Sequence, residues 1–300
     1  MSPSRKYPHL DKEANRQADL SDKERITAIR QGSWIAYGAA QRALDRMEDL
    51  LTYPRVTRMP NMLLVAPSFN GKTSILEHFR DSHPPQTDPL GEVTICPVLM
   101  VECPNKPDVS DLYTRILEAL AVPYKTTAAR DKVLQIKRLF KSMDVHILIT
   151  DEIHHLITGS VNKQQEFRNA VKSLGNETKI CIVAAGTEAA FNAFNTDPQM
   201  SSRFDPLVLP MWKANNEFGE LLSTLEARTP LRKPSNLTEP GIMLAIHSRG
   251  EGTLGDTCDL VKELAVDAIV GEAKSECITL ERVGSLEWTP PSKRREYQRF

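Results

Sequence analysis

Cysteine is scarce. The chain has 300 residues and 5 cysteines, Cys96, Cys103, Cys181, Cys258 and Cys277, scattered and with no C-x-x-C pair. That spacing excludes a zinc ribbon and a disulfide framework. Cys96, Cys103 and Cys181 lie in or beside apolar runs. They are expected to be reduced, mostly buried thiols of a cytoplasmic protein. Charge of one sign is lacking too: 38 Lys and Arg stand against 39 Asp and Glu, a net charge of -1. There is no global basic signature for nucleic acid, so any such surface must be a local patch. No apolar run approaches membrane-spanning length, and Met1 to Leu10 lacks the apolar core of a signal segment. Membrane partners are therefore not expected. His154 and His155 do not complete H-E-x-x-H, because Thr150 and Asp151 stand where the first histidine should be. Adjacent histidines on a helix point apart, which argues against a metal site there.

The stretch that organises the rest is Ala66-Pro67-Ser68-Phe69-Asn70-Gly71-Lys72-Thr73. An apolar run, Met62-Leu63-Leu64-Val65, precedes it, and Ser74-Ile75-Leu76-Glu77 follows. The order is strand, tight loop, helix, the context of a phosphate-cradling P-loop. The loop residues Ala66, Pro67, Ser68, Asn70, Gly71 and Ser74 form the frame in which backbone N–H groups (Pro67 has none) and the helix dipole meet an anion at the helix N-terminus. Lys72 is expected at the β- and γ-phosphates, and the Thr73 hydroxyl on Mg²⁺. The motif's first glycine is Ala66 here. Alanine can stand there wherever φ is negative.

Val145-His146-Ile147-Leu148-Ile149-Thr150 runs into Asp151-Glu152. A parallel strand buried on both faces reads as such a continuous apolar run. Its acids then fall at the carboxyl end, where open α/β sheets bind ligands. Asp151 is expected to hold Mg²⁺, and Glu152 to orient and deprotonate an attacking water. Ile180 to Ala185 is a further buried strand ending at Gly186-Thr187. Thr187 is a candidate to touch the γ-phosphate or that water, or to cap the following helix, or both. Arg203 precedes a last apolar segment, Pro206 to Pro210. A guanidinium there can reach the nucleotide of an adjoining subunit.

Around these lie other elements. Ser21-Asp22-Lys23-Glu24 reads as a capping box. Ala40, Leu44, Met47 and Leu51 fall at helical spacing. Val93 to Val101 reads as a strand, and Pro97 places it at an edge or marks an irregularity. Helices are expected over 110–120, 128–142, 163–174 and 188–194, then 216–228, 239–248 and 254–272. The expected divisions are a helical extension over 1–58, an α/β nucleotide-binding domain over 59–210, a small helical lid over 211–286 and a basic tail over 287–300. The tail defaults to a frayed terminus.

P-loop, acidic strand end, polar strand tip, arginine before the last strand and helical lid, in that order, resemble an AAA+ ATPase. Met59-Pro60-Asn61, Asn70-Gly71-Lys72-Thr73, Asp151-Glu152-Ile153-His154-His155-Leu156, Ala185-Gly186-Thr187 and Ser202-Arg203-Phe204 narrow this to a resemblance to the TniB family of ATP-binding transposition proteins, akin to TnsC, MuB and IstB. The resemblance implies a P-loop NTPase of AAA+ type, a parallel five-stranded sheet between helices with a C-terminal helical lid. It implies ATP and Mg²⁺ as ligands, and rings or filaments on double-stranded DNA. It implies recruitment of a DDE transposase (TniA-like), contact with a TniQ-like targeting protein, and disassembly on hydrolysis. No acidic triad that would itself cut DNA is found. Candidates for DNA contact are Lys106, Ser110, Lys125, Thr126, Thr127 and Arg130, since such residues suit sequence-independent phosphate contacts. In the lid, Asp256 stands where many AAA+ proteins carry a Gly-x-Arg sensor, with Arg249 nearby as a possible substitute. Two alternatives stay open: a nucleotide-dependent scaffold with negligible turnover, and a replicative-initiator-like loader.

Overall fold

The computed structural model describes residues 6–87, 91, 94–124, 128–153, 160–195, 198–271 and 275–297. It divides into two compact units, Gly38–Pro210, and Met1–Tyr37 together with Met211–Phe300. The first 58 residues thus do not stay together. α1 (Lys12–Gln17) and α2 (Asp22–Gln31) group with the C-terminal helices, and α3 (Gly38–Leu51) groups with the α/β unit. Among the described residues no helix is long and apolar enough to cross a membrane.

The α/β unit holds a parallel sheet of β1 (Asn61–Val65), β4 (Val98–Glu102), β5 (Ile147–Asp151), β6 (Cys181–Gly186) and β7 (Phe204–Val208), in the order β4-β5-β6-β1-β7. β2 (Gln86–Thr87) and β3 (Thr94–Ile95) form a separate antiparallel ribbon. β1, β5 and β6 are buried along their whole length, because helices cover both faces and leave no solvated side for polar residues. α3 and α4 (Lys72–Ser82) pack together on one face. On the other face α5 (Val109–Ala119), α6 (Ala129–Ser142) and α7 (Val161–Thr178) bury Ile116, Ile136, Phe140, Phe167 and Val171 against Leu63, Val65, Leu148, Ile182 and Ala184. α8 (Glu188–Asn195) and α9 (Pro198–Ser201) lead into β7.

Pro97 has both effects expected of it. It separates β3 from β4, its carbonyl accepts from the His146 and Ile147 N–H groups, and β4 lies at the sheet edge. Pro206 lies inside β7, the other edge strand, where a missing donor is tolerated. β7 therefore begins two residues before the apolar run that suggested it.

Among its described residues the second unit is all helical: α1, α2, α10 (Asn216–Arg228), α11 (Pro240–Gly250), α12 (Leu254–Val270), α13 (Leu280–Ser285) and α14 (Pro291–Tyr297). Its core joins Ile29 of α2 to Phe218, Leu222, Ile246, Leu260 and Leu264. The capping box of α2 is formed, with the Glu24 N–H donating to Ser21 Oγ and the Ser21 N–H to the Glu24 carboxylate. Arg25 is fully buried and donates to Glu276, Asp22 and the Pro230 carbonyl.

Candidate nucleotide site

The carboxyl ends of β1, β5 and β6 converge. β1 is held on both sides there, by the Ala66 N–H on the Gly186 carbonyl (3.1 Å) and the Leu209 N–H on the Val65 carbonyl (2.8 Å). Ala66 is buried and is not among the positive-φ residues, so a Cβ costs nothing at the motif's first position. The left-handed positions come later, at Phe69 (φ 61) and Gly71 (φ 85). Alternation of handedness turns successive N–H groups toward one point and builds an anion nest. α4 opens directly from Gly71 with no side-chain cap, which leaves its first turn to an anion. Pro67, Ser68, Thr73 and Ser74 are exposed, while Asn70 is 2% exposed. The Asn70 carboxamide donates to the Leu209 and Pro210 carbonyls at 3.3 and 3.1 Å, fixing the loop to the chain that leaves β7.

Lys72 is 5% exposed, and its Nζ donates to the Ala66 and Pro67 carbonyls at 2.9 and 2.8 Å. Burial holds this ammonium below the usual lysine range, with the Glu152 and Asp151 carboxylates offsetting part of the effect. Thr73 Oγ1 donates to Asp151 Oδ2 at 2.6 Å. A hydroxyl and a carboxylate on two elements thus share one point, a donor set suited to Mg²⁺, which takes one or two protein oxygens and keeps several waters. Asp151 is 4% exposed, and its Oδ1 accepts from the Glu152 N–H at 2.8 Å. Glu152 follows with φ 56, a left-handed conformation that costs a non-glycine residue about 1 kcal/mol or more. The Cys103 thiol below, buried and beside Asp151, is pushed up to about 12 and stays neutral. Thr187 follows β6 and opens α8, its carbonyl accepting from the Ala190 and Phe191 N–H groups.

Arg203 lies elsewhere. It precedes β7, so it stands at the amino edge of a parallel sheet whose carboxyl edge carries the P-loop. A five-residue strand is about 16 Å long, more than an arginine side chain spans. Its Nη1 donates to Asn176 Oδ1 of α7 at 2.5 Å. The structure therefore brings together Lys72, Thr73, Asp151, Glu152 and Thr187 at one edge, and separates Arg203 from them.

Of the residues proposed for DNA, Lys125, Thr126 and Thr127 lie outside the described residues, as do His154 and His155. Lys106 and Arg130 are exposed. The Ser110 hydroxyl accepts from Lys132 Nζ at 3.0 Å, and Thr114 Oγ1 accepts at 2.8 Å. Lys132, 7% exposed, ties the start of α6 to α5. Nothing in the sequence marked it, since a lysine in an amphipathic helix ordinarily reads as surface. In the helical unit, Asp256 is 4% exposed, accepts from Thr253 Oγ1 at 2.5 Å and pairs with Arg294 at 3.0 Å. Arg249 donates to the Val283 and Leu286 carbonyls. Both groups have partners within their own unit.

Strand order, the loop between β1 and α4, and the Thr73–Asp151 pair define a P-loop fold of the AAA+ class. Solved structures agree on the fold. The Aeropyrum pernix ORC2 protein in its ADPNP-ADP complexes matches with TM-score 0.55 and 15% identity, over 81% of this chain and 65% of that one. A. pernix ORC1 in complex with DNA gives 0.55 and 19%, over 87% and 65%. Drosophila ORC bound to DNA gives 0.55 and 14%, over 89% and 65%. The chain thus spans just under two thirds of these proteins' lengths. A family model described as bacterial TniB protein matches residues 25–214, more than half of the chain, and the chain belongs to the TniB family. No curated protein matches it.

Proposed function

We propose that this protein is an ATP-dependent regulator of DNA transposition. It assembles on target DNA, recruits or activates a DDE transposase, and disassembles when ATP is hydrolysed. The observation that carries the nucleotide part is the convergence of Lys72, Thr73 and Asp151 in one buried-to-exposed site. Membership of the TniB family supports the transposition part. The loop N–H groups, Lys72 and the first turn of α4 would hold the phosphates; Thr73 and Asp151 would hold Mg²⁺, which neutralises charge on them. Glu152 would orient the attacking water and take its proton. Thr187 is offered as a second polar contact to that water or the γ-phosphate.

Arg203 cannot serve the site of its own chain from the opposite sheet edge, which supports a role toward a neighbouring copy. Homo-oligomers are part of the reading for that reason. Lys106, Ser110 and Arg130 are proposed to face duplex DNA through its phosphates, and a TniQ-like protein is proposed as a further partner. Steady-state ATPase activity with and without duplex DNA, with electron microscopy of the same samples, tests the proposal. DNA-stimulated turnover with ATP-dependent rings or filaments is expected. Assembly without turnover would favour a static scaffold, and loss of nucleotide binding altogether would remove the basis of the reading.

A further inference from the structure

Arg203 is restrained from three directions. Its N–H donates to the Met200 carbonyl at 3.0 Å, and its own carbonyl accepts from the Asn61 N–H at 3.2 Å. Its guanidinium donates to Asn176 Oδ1 at 2.5 Å. Asn61 is itself fixed, its Oδ1 accepting from the Ile182 N–H at 2.8 Å. The arginine is thereby tied to α9, to the first residue of the P-loop strand and to the last turns of α7.

The character of the side-chain partner matters most. A small cavity here is lined by Asn61, Lys172, Asn176 and Arg203 together with apolar residues, and among the described residues that line it there is no carboxylate. A half-buried guanidinium is ordinarily matched by an acid, which binds it more strongly and cancels its charge. A carboxamide oxygen accepts one N–H and leaves the charge whole. Guanidinium is planar, with five donors in fixed directions, so fixing one aims the other four. Fixing geometry without neutralising charge is what a group needs if it is to stabilise charge that appears only in the transition state.

We infer that Asn176 is a positioning residue: it presets the Arg203 guanidinium, with its charge intact, for the phosphate oxygens of a nucleotide bound by a second copy of this chain. The inference rests on the reading of Arg203 given under Proposed function.

The test uses the full chain with saturating duplex DNA and compares N176A, N176D, R203A and the N176A/R203A double variant. Loss of one positioning contact should lower kcat by about tenfold with the KM for ATP little changed, since other residues build the binding site. N176D should lose at least as much, although its carboxylate would grip Arg203 more firmly. N176A should add nothing in the R203A background. A role confined to folding would give the reverse: N176D near wild type, and an N176A loss that persists without Arg203. Thermal midpoints are read alongside. Should N176A fail to fold, N176D decides alone: reduced kcat at an unchanged midpoint supports the assignment, and wild-type kcat overturns it. Loss of turnover in R203A with full turnover in N176A and N176D overturns the Asn176 assignment only. Full turnover in R203A, or none in the unaltered protein, overturns the reading of Arg203 and this inference with it.

Discussion

Glu152 carries a left-handed backbone immediately after Asp151, whose Oδ1 accepts the Glu152 N–H. A strained residue persists where its surroundings over-determine it, and such positions gather at sites of chemistry. Substituting Glu152→Gln keeps the shape and removes the carboxylate proposed as the base. The variant should bind ATP normally, lose turnover by about 100-fold or more, and remain on DNA; dissociation at the wild-type rate, followed by fluorescence anisotropy, would count against the role given to Glu152. Lys72→Ala removes the ammonium that the loop carbonyls hold in place, and both nucleotide binding and ATP-dependent DNA assembly should be lost. Retention of assembly without nucleotide would rule out a nucleotide-controlled switch. The placement of Lys72 and Glu152 at one edge of the sheet was legible in the sequence, because a P-loop needs fixed residue types at fixed spacing and a continuous apolar run ending in acids marks a buried parallel strand. Ala66 was legible as a tolerable departure, and its backbone shows why. Asn176 was not legible: an asparagine near a helix end has many ordinary uses, and its partner lies 27 positions away.

Elements with a local physical signature were also readable. The capping box of α2 formed as its sequence requires. The stripe of α3 was right in kind and shifted in detail: Ala40, Ala43, Met47 and Leu50 are buried, while Leu44 and Leu51 are only partly so. Both sets satisfy a period of 3.6, and only the packing partners choose between them. α14 was missed, because what holds it is remote in sequence. The Ser292 N–H donates to the Glu251 carboxylate at 2.9 Å, and Arg294 pairs with Asp256 and lies over the Trp288 ring. α2 is anchored by a comparable long-range contact, Arg25 to Glu276 at 2.5 Å. Removing one partner of a buried pair strands the other, so Arg25→Ala should cost about 3 kcal/mol, read from chemical denaturation. Burial opposes ionisation of Glu276, but hydrogen bonds from Arg25 and Arg232 outweigh it and hold this carboxyl below its usual range. A lowered folded-state pKa contributes stability above the unfolded value of 4.5, lost as pH falls through the folded one. In E276Q that acid-side loss should shrink, which a comparison of midpoints at neutral and acid pH will measure.

At the scale of the whole molecule, the order of motifs foretold the sheet, since βα units with right-handed crossovers leave few ways to arrange them. The grouping of the first 37 residues with the last 90 was not foretold, because no local pattern encodes which distant core a short helix joins. The proposed phosphate cradle lies at one end of the sheet's strands and Arg203 at the other, so copies that engaged as proposed would meet head to tail and not across a two-fold axis. An unclosed row of such copies always has one cradle that no neighbour completes, and a closed circle has none. Turnover per protomer should therefore rise with protein concentration as rows lengthen, checked by ATPase titration; a flat titration across the range in which assembly occurs would exclude this geometry. The two ends of a row are chemically unlike, so subunits would be gained and lost unequally at them, and a row on DNA would have a direction before any partner binds it.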